Sequence, residues 1–502
     1  MSETVVGRLA RAPDCRRIEA ALAAHPAVRA AAVRVQAGPD GRPRVVAHLV
    51  PQDTAGEGAP ELENGLMERW QTLWELLYAG PDGADPAFDV RGWMNSYTRE
   101  PLPVAEMRDW VERTVDAIAS LRPRRLLEIG VGSGLLLYRL APSCEQYWAV
   151  DFCAGAVRRI AAEVAGRGLS DRVRLLHRRA DDLDDLPRDF DCVVLNSVVQ
   201  YFPTTDYLFR VIAAAVDRVV PGGAVFVGDV YSLPLAPAFH ASVVLDRAEP
   251  DTDRETLLAR TRQRTAAQSE LVLAPRVLAE MATRHPRVVG LSVRPKRGAH
   301  TNEMTSFRYD AVLNVGDAAP APPPVQVRWH DWRADGLDLT ALRGLLGGPG
   351  EAAIGVTGIA NARTAAAVHA YRAMADPAGP PTAREISAAA GASTALAVTT
   401  DELAACTGNG AYRPRLSWLS GRPDGSVDAV WTRRDLAEGI GVPVPDGDGS
   451  GPLANEPLGS RRTDRLTLDV AAFLRERLPG SVLPDLFLCV PHLPDGAEEV
   501  GP

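Results

Sequence analysis

The sequence predicts an α/β fold built on a wound, mostly parallel sheet. Between residues 124 and 315, segments with strand signals alternate with segments with helix signals, which is typical of such a sheet. The apolar run at 126–129 (LLEI) breaks into three glycines at alternate positions, Gly130, Gly132 and Gly134. The next strand-like run, QYWAV at 146–150, ends at Asp151. This order of strand, glycine turn, helix, strand and acid is typical of nucleotide-binding folds.

Length and composition narrow the class of protein. A chain of 502 residues predicts about two to four domains. The net charge of −9 argues against nucleic acid as a partner, because phosphate binding needs a basic surface. The start is polar and no apolar run reaches about 18 residues, so we expect neither a signal peptide nor a membrane span, and a cytoplasmic protein. Six scattered cysteines without a CxxC pair predict reduced thiols and no metal site.

The first part of the chain predicts a small α+β segment followed by helices. Residues 17–50 combine a helix-like stretch with two alternating runs around a PDG turn, which indicates a hairpin. Residues 51–63 are typical of a linker, and 66–120 are predicted to be helical. The strongest helical pattern runs from Val104 to Leu121, where apolar residues recur three and four positions apart.

The part after residue 317 predicts a second, weaker region between two linkers. A proline-rich linker covers 318–324, and a stretch rich in Gly, Pro and Asp covers 441–454. Between them the pattern predicts strands, a helix near Thr364 and a hairpin around RPDGS at 422–426. The tail predicts a helix followed by an extended strand.

Five longer motifs carry a family resemblance. They are WMNSYTREPLP (93–103), LLEIGVGSG (126–134), LNSVVQYFP (195–203), GDVYSLPLAPAFHASV (228–243) and KRGAHTNEMTSFRYDAVL (296–313). Together they resemble the methyltransferase domains that interrupt adenylation domains of nonribosomal peptide synthetases. The resemblance implies a Rossmann-like class I methyltransferase sheet with a helical N-terminal lid, and S-adenosylmethionine as cofactor, with S-adenosylhomocysteine as product.

The flanks resemble the two halves of an adenylation domain's small C-terminal subdomain. The resemblance implies a first half at 1–52 and a second half at 452–496, which should rejoin in space. Between them it implies a helical lid at 64–122, the methyltransferase core at 123–317 and an accessory α/β region at 326–440. The large ATP-binding subdomain is missing, and the tail reads PHLPDG where the family carries a catalytic lysine. We therefore expect a stand-alone protein without adenylation activity.

The resemblance also assigns the cofactor residues. Gly130, Gly132 and Gly134 would let the backbone approach the cofactor, although they could simply form a tight turn. Glu128 would fix the loop or meet the methionine ammonium, and Asp151 would accept both ribose hydroxyls. The alternative for Asp151 is a solvated turn aspartate. The remaining cofactor predictions are Phe152 next to Asp151, Asp181 and Asp182 at the adenine, Asn196 and Ser197 at the methyl group, and Tyr97 over the sulfonium.

Two of these predictions keep a structural alternative. Asp181 and Asp182 share their loop with Asp184 and Asp185, so the loop could be a plain acidic surface. Tyr97 could serve packing alone.

The predicted acceptor side contains His240, Glu303 and Tyr201. A histidine can take a proton at neutral pH, and Glu303 could orient His240, bind an ammonium or act as the base. The alternative for His240 is a histidine hydrogen-bonded within its helix. Arg308 is expected to be a structural partner of a carboxylate. Tyr231 stands where the family often has arginine, which puts a simple N-methylation assignment in doubt.

The functional hypothesis is methyl transfer in trans to an intermediate tethered to a peptidyl carrier protein. Amine methylation comes first, carbon methylation next to a thiazoline-like ring second, and oxygen methylation third. A free small-molecule acyl or peptidyl substrate stays open. A degenerate epimerase-like or structural module is the alternative class, and residual adenylation is a third possibility.

Overall fold

The computed structural model describes residues 12–37, 43–52, 59–80, 85–317, 325–348, 350–436, 451–478, 483–490 and 493. The chain divides into two compact units. The first contains Met1–Leu66 and Glu456–Pro502, and the second contains Met67–Asn455. The predicted PDG turn and the proline linker lie outside the described residues, as does most of the linker at 441–454.

The helices of the described part, in chain order, are α1 (Ala12–Ala23), α2 (Ala59–Tyr78), α3 (Val104–Ala119), α4 (Leu137–Leu140), α5 (Ala154–Gly166), α6 (Thr205–Arg218), α7 (Ala236–Asp246), α8 (Arg254–Ala266), α9 (Arg276–Arg284), α10 (Glu303–Ser306), α11 (Leu339–Gly347), α12 (Ala365–Ala375), α13 (Ala383–Ala392), α14 (Thr400–Ala405) and α15 (Gly459–Arg477). Short 3₁₀ turns cover Ala141–Ser143, Val199–Tyr201, Leu233–Leu235 and Ser393–Leu396. Within the described ranges, no helix is long and apolar enough to cross a lipid bilayer.

The strands are β1 (Val28–Ala37), β2 (Pro43–Pro51), β3 (Arg125–Ile129), β4 (Gln146–Asp151), β5 (Val173–His177), β6 (Phe190–Asn196), β7 (Val219–Tyr231), β8 (Val288–Pro295), β9 (Arg308–Val315), β10 (Val327–Asp331), β11 (Ala353–Ile359), β12 (Tyr412–Ser417), β13 (Val427–Arg433) and β14 (Leu486–Cys489). They form sheets in the orders β5-β4-β3-β6-β7-β9-β8, β10-β11-β13-β12 and β1-β2-β14.

The seven-stranded sheet confirms the predicted α/β class. Strands β5, β4, β3, β6 and β7 are parallel, and β9 pairs antiparallel with both β7 and β8. Strands β3 and β6 are buried almost throughout because helices cover both faces, so their sequences are largely apolar. The order of connections reverses between β3 and β6. This reversal opens a crevice at the carboxyl ends of the strands, which is where such sheets bind ligands.

The segment predicted as helical at 66–120 consists of two helices with an irregular stretch between them. Helix α2 ends at Tyr78, and α3 runs from Val104 to Ala119. The described residues 85–103 form turns and bridges instead. This stretch contains Gly92 at φ +87° and prolines at 86, 101 and 103, which interrupt a helical hydrogen-bond ladder. The prediction of continuous helix was therefore wrong here.

The region after residue 325 packs into the same compact unit as the seven-stranded sheet. Side chains from its own sheet, such as Trp332, Ile354 and Trp431, share one apolar core with Val293 and Leu313 of the larger sheet. The Trp418 amide also donates to the Val293 carbonyl at 3.1 Å. Strands β12 and β13 form the antiparallel pair predicted around 422–426.

The first unit joins the two chain ends in one small sheet. Strand β14 pairs parallel with β2, with Leu486 opposite Val46, and the Asp485 carboxylate accepts a hydrogen bond from the Val45 amide at 2.7 Å. Val470 and Leu474 of α15 are fully buried in a core shared with α1 and β1. Strands β1 and β2 and a strand more than 400 positions later therefore pack around one hydrophobic core.

Candidate active site

A cavity opens at the carboxyl ends of β3, β4 and β6. Most of the predicted cofactor residues line it, together with aromatic side chains from α2, α3 and the loop before α3. Its lining includes Glu128, Gly130, Gly132, Asp151, Phe152, Asn196, Ser197 and Tyr201, with Trp74, Tyr78, Trp93 and Trp110. The strand ends supply polar groups, and the helices supply an apolar cover.

The glycine loop passes so close to its neighbours that side chains would not fit. Gly130 has φ +80°, and a Cβ there would lie 2.3 Å from Cγ2 of Val198. Gly134 has φ +83°, and its Cβ would meet the Tyr138 ring at 2.7 Å. The Gly130 amide donates to the Val150 carbonyl at 2.8 Å, which ties the loop to β4. The backbone of this loop thus lines the cavity directly, with no side chain between it and a ligand.

Asp151 is anchored at the end of β4 by two backbone amides. Its Oδ2 accepts from Gly132 and its Oδ1 from Cys153, both at 2.8 Å. Each oxygen keeps one lone pair for a further donor. Burial raises the pKa of Asp151 to about 6, and the two amide hydrogen bonds oppose this shift. At neutral pH the group is therefore a preorganised, ionised double acceptor facing the cavity.

Glu128 lies deeper in the same wall and is almost fully buried. The Tyr147 hydroxyl donates to its Oε2 at 2.7 Å. Burial raises the pKa of Glu128 to about 8, which the Tyr147 hydrogen bond opposes. The carboxyl is thus largely protonated at neutral pH as long as no cation lies beside it.

The aromatic cover of the cavity was not predicted. Trp70, Trp74 and Tyr78 recur every four residues along α2, and Trp74 and Tyr78 line the cavity. Trp74 stacks on Tyr78 with ring centroids 5.6 Å apart, and Trp70 contacts Tyr201 at 4.9 Å. The i, i+4, i+8 spacing was the available signal, since it places all three rings on one helical face. Such π-faces attract a cation such as a sulfonium.

Tyr97, predicted to cover a sulfonium, is not among the residues that line this cavity. Its hydroxyl is 2.9 Å from that of Ser242, and its ring meets Phe239 edge-on. Tyr97 therefore packs against α7, and aromatic residues of α2 cover the cavity instead.

A network of buried charges supports the end of β6. Ser197, in the left-handed region at φ +57°, donates to Asp229 Oδ2 at 2.7 Å. Asp229 also pairs with Arg308, which donates in turn to the Tyr231 hydroxyl. Tyr231 thus serves as a hydrogen-bond partner of a buried guanidinium.

Asn196 Oδ1 next to this network is buried and has no partner within the described residues, so a donor from a ligand could satisfy it.

The acidic loop after β5 does not place its carboxylates in the cavity. Asp181 pairs with Arg179 at 3.2 Å, and Asp182 is exposed. The residues of this loop that line the cavity are Arg178 and Ala180. The adjacent arginine thus accounts for the position of Asp181, which sequence spacing alone could not show.

His240 and Glu303 do not form a pair. His240 lies in a second cavity and its Nδ1 accepts a hydrogen bond from Arg264 at 3.2 Å. Burial, with help from Arg264, lowers the pKa of His240 to about 4. Glu303 accepts hydrogen bonds from the Ser96 amide at 2.7 Å and the Ser96 hydroxyl at 3.0 Å. Neither group is arranged to take a proton from the other.

Within the described ranges, no cluster of three or more His, Cys, Asp or Glu side chains could hold a metal ion. The glycine wall, the doubly anchored acid and the aromatic cover surround one cavity, and together they fit the cofactor of an S-adenosylmethionine-dependent methyltransferase domain. Residues 127–225 match the family model described as methyltransferase domain. This match runs from within β3 to within β7 and therefore includes most of the parallel part of the sheet.

The chain is similar to parts of several much longer synthetases. It is 37% identical to chondramide synthase of Chondromyces crocatus over 96% of this chain and 13% of that protein. It is also 37% identical to a probable non-canonical nonribosomal peptide synthetase of Salinispora arenicola, over 64% of this chain and 4% of that protein. Beauvericin synthetase of Beauveria bassiana is 32% identical over 65% of this chain and 10% of that protein. The chain thus spans a small part of these relatives.

Solved structures of lower similarity include N-methyltransferase NodS from Bradyrhizobium japonicum in complex with S-adenosylhomocysteine. It is 15% identical, and the match covers 49% of this chain and 97% of that chain with a TM-score of 0.32. A methyltransferase from Clostridium acetobutylicum is 14% identical over 42% of this chain and 92% of that chain, with a TM-score of 0.30.

Proposed function

We propose that this chain methylates the amine nitrogen of an aminoacyl or peptidyl group that a peptidyl carrier protein presents in trans. Two of the relatives named above are described as nonribosomal synthetases, and the match to chondramide synthase covers 96% of this chain and therefore includes the methyltransferase domain. The observation that carries the proposal is the glycine loop beside Asp151, which is intact and open to the cavity.

The residues of this chain fit the cofactor. Asp151 would accept the two ribose hydroxyls, and the glycine backbone would lie along the ribose and methionine parts. The Trp74 and Tyr78 faces suit the positive sulfur. When bound, S-adenosylmethionine supplies an electrophilic methyl carbon. The chain itself aligns the acceptor nitrogen, keeps water out and removes the proton that blocks the nitrogen lone pair.

An amine acceptor is favoured over a carbon acceptor by the separation of His240 and Glu303. Carbon methylation needs a base strong enough to deprotonate a weak carbon acid, and a His–Glu pair would have suited it. His240 is instead held by Arg264, and Glu303 is held by Ser96. An ammonium is far more acidic than a carbon acid, so one carboxylate suffices for it.

We further propose that the first unit corresponds to the small C-terminal subdomain of an adenylation domain, split by the methyltransferase insertion. The pairing of β14 with β2 supports this proposal. Amino-acid-dependent pyrophosphate exchange by the purified chain would contradict the expectation that it has no adenylation activity.

Cofactor binding and methyl transfer test the proposed function separately. Calorimetry with S-adenosylmethionine should show one binding site, and its absence would favour the structural-module alternative. Carrier proteins loaded with a panel of L-aminoacyl groups, and the same set with the amine acetylated, are then incubated with the protein and radiolabelled cofactor. We expect label only on carriers with a free amine, and equal labelling of the acetylated set would overturn amine methylation.

A further inference from the structure

A second cavity lies next to the cofactor cavity and none of its groups has a role in holding the cofactor. Its polar lining includes Ser96, Tyr231, His240, Arg264 and Glu270, and its apolar lining includes Phe239, Val272 and Phe307. It therefore combines an apolar wall for an organic side chain with a carboxylate, which suits a molecule that carries both an apolar group and a cation.

Backbone hydrogen bonds fix Glu270 beside the cofactor cavity. The Leu271 amide donates to the Gln200 carbonyl at 2.8 Å, directly before Tyr201, which lines the cofactor cavity. Two residues on, the Leu273 amide donates to the Tyr231 carbonyl at 3.0 Å. Residues 270–273 are thus hydrogen-bonded close to the ends of both β6 and β7. Burial, and then the negative charge of Glu270, raise the pKa of the Tyr201 phenol, so the two groups are electrostatic neighbours.

The other ionisable groups here already have partners. Arg264 donates to His240, Ser96 donates twice to Glu303, and Arg308 pairs with Asp229. Within the described residues, the Glu270 carboxylate accepts one side-chain hydrogen bond, from Gln268 Nε2 at 3.2 Å. A carboxylate has about four acceptor positions, so most of its capacity is open to a ligand.

We propose that this second cavity binds the methyl acceptor and that Glu270 is the catalytic residue that binds and deprotonates its ammonium group. The proposal rests on the proposed function. The substrate class is an α-aminoacyl group whose carboxyl is esterified or thioesterified, because the proposed function places the acceptor on a carrier protein. Arg264, the described cation that lines this cavity, donates its Nε–H to His240. The apolar side chain of the substrate packs on Phe239, Phe307 and Val272.

The proton step is a simple exchange. An N–H bond of the ammonium breaks, its electron pair stays on nitrogen as the lone pair, and the proton forms an O–H bond with a carboxylate oxygen of Glu270. The carboxylic acid later returns this proton to solvent through the cavity.

Burial raises the pKa of Glu270 above its ordinary value, and Arg308 opposes the shift, so the carboxylate is a better proton acceptor than an exposed one. The titratable and charged groups around it are Tyr201, Asp229, Tyr231, His240, Arg264, Glu303 and Arg308.

The test uses ligand binding as well as turnover. L-amino acid methyl esters and their N-acetylated counterparts are titrated into the full chain saturated with S-adenosylhomocysteine. We expect wild type to bind one or more esters and to discriminate against the acetylated forms. Glu270→Gln should weaken ester binding roughly 10- to 100-fold, with unchanged affinity for S-adenosylhomocysteine, and should lower methyl transfer by about 10²–10³.

Two further variants sharpen the test. Glu270→Asp keeps the charge and should retain part of both functions, which also covers a failure of Glu270→Gln to fold. Glu280→Gln, at a half-buried carboxylate of α9 that pairs with Arg284, is the matched control and should change neither. Equal ester binding by wild type and Glu270→Gln, or no ester binding by wild type, would overturn the inference. Ester binding that depends on Glu270 without methyl transfer would uphold the binding role of Glu270, and it would contradict both its catalytic role and the proposed function.

Discussion

The Asp151 carboxylate lies 2.8 Å from the Gly132 amide, so the acid at the end of β4 is held by the glycine loop that follows β3. The two parts of the proposed cofactor site are therefore coupled. A change in the loop moves the acid, and a change in the charge of the acid alters a hydrogen bond that holds the loop.

This coupling predicts a pH dependence of cofactor affinity. Since burial raises the pKa of Asp151 to about 6, the carboxylate becomes protonated as the pH falls through that value and loses one acceptor position. We expect the dissociation constant for S-adenosylhomocysteine, measured by calorimetry, to rise several-fold between about pH 7.5 and pH 5. Asp151→Asn should bind weakly at both pH values. Wild-type affinity that stays constant over this range would contradict the ribose role of Asp151.

Glu128 predicts a pH dependence of stability in the cofactor-free protein. Its folded pKa of about 8 lies above the unfolded value, so folding favours the protonated form. The stabilising contribution is fully present below the unfolded pKa and is lost as the pH rises through about 8. Relative to Glu128→Gln, wild type should lose up to about 4 kcal/mol of unfolding free energy over this range. Denaturant titrations at a series of pH values measure this difference, and parallel curves for the two proteins would contradict it.

Gly130→Ala tests the close approach of the loop. The substitution places a Cβ at φ +80° and 2.3 Å from Val198 Cγ2, so we expect a loss of at least about 2 kcal/mol in stability and of most cofactor affinity. Gly168→Ala is the matched control, because its φ is +68° with no atom within 4 Å. It should cost about 1 kcal/mol and leave cofactor affinity unchanged. Equal effects of the two variants would show that the contact with Val198 does not matter.

The Asp229 cluster predicts a large stability loss on neutralisation. Although burial alone would raise the pKa of Asp229, Arg308 and Lys296 hold it below its ordinary value. Asp229→Asn leaves both cations without this charge and should cost about 3–5 kcal/mol in thermal or denaturant unfolding. Asp116→Asn, at an exposed carboxylate 3.8 Å from Arg113, should change stability by less than about 0.5 kcal/mol. A small effect of Asp229→Asn would mean that water or rearrangement replaces the ion pair.

The sequence identified the parts of the site that local pattern determines. Gly130, Gly132 and Asp151 follow strand ends directly, and strand ends of a parallel sheet meet at one edge, so their positions could be predicted. The α2 aromatics could not, because their place over the cavity depends on how a helix some 50 residues upstream packs. The resemblance assigned Asp181 to the adenine, whereas its carboxylate pairs with Arg179 and does not line the cavity.

The positions of the residues around the second cavity also depend on packing between distant segments and could not be predicted from local pattern. Glu270 follows no motif, and long-range hydrogen bonds such as those of Leu271 and Leu273 bring it close to the ends of β6 and β7. His240 was predicted from its chemistry as a free side chain, whereas burial beside Arg264 removes its basicity. The hydrophobic core that the region after residue 325 shares with the larger sheet likewise depends on packing between distant segments.

The central claim is methyl transfer to an amine nitrogen, and tandem mass spectrometry of the reaction product tests it most directly. The protein is incubated with isotopically labelled S-adenosylmethionine and an aminoacyl carrier protein, and the acyl group is released and fragmented. We predict one labelled methyl group on the α-nitrogen. A labelled methyl on carbon or oxygen, or cofactor binding without transfer to any acceptor of the panel, would contradict this account.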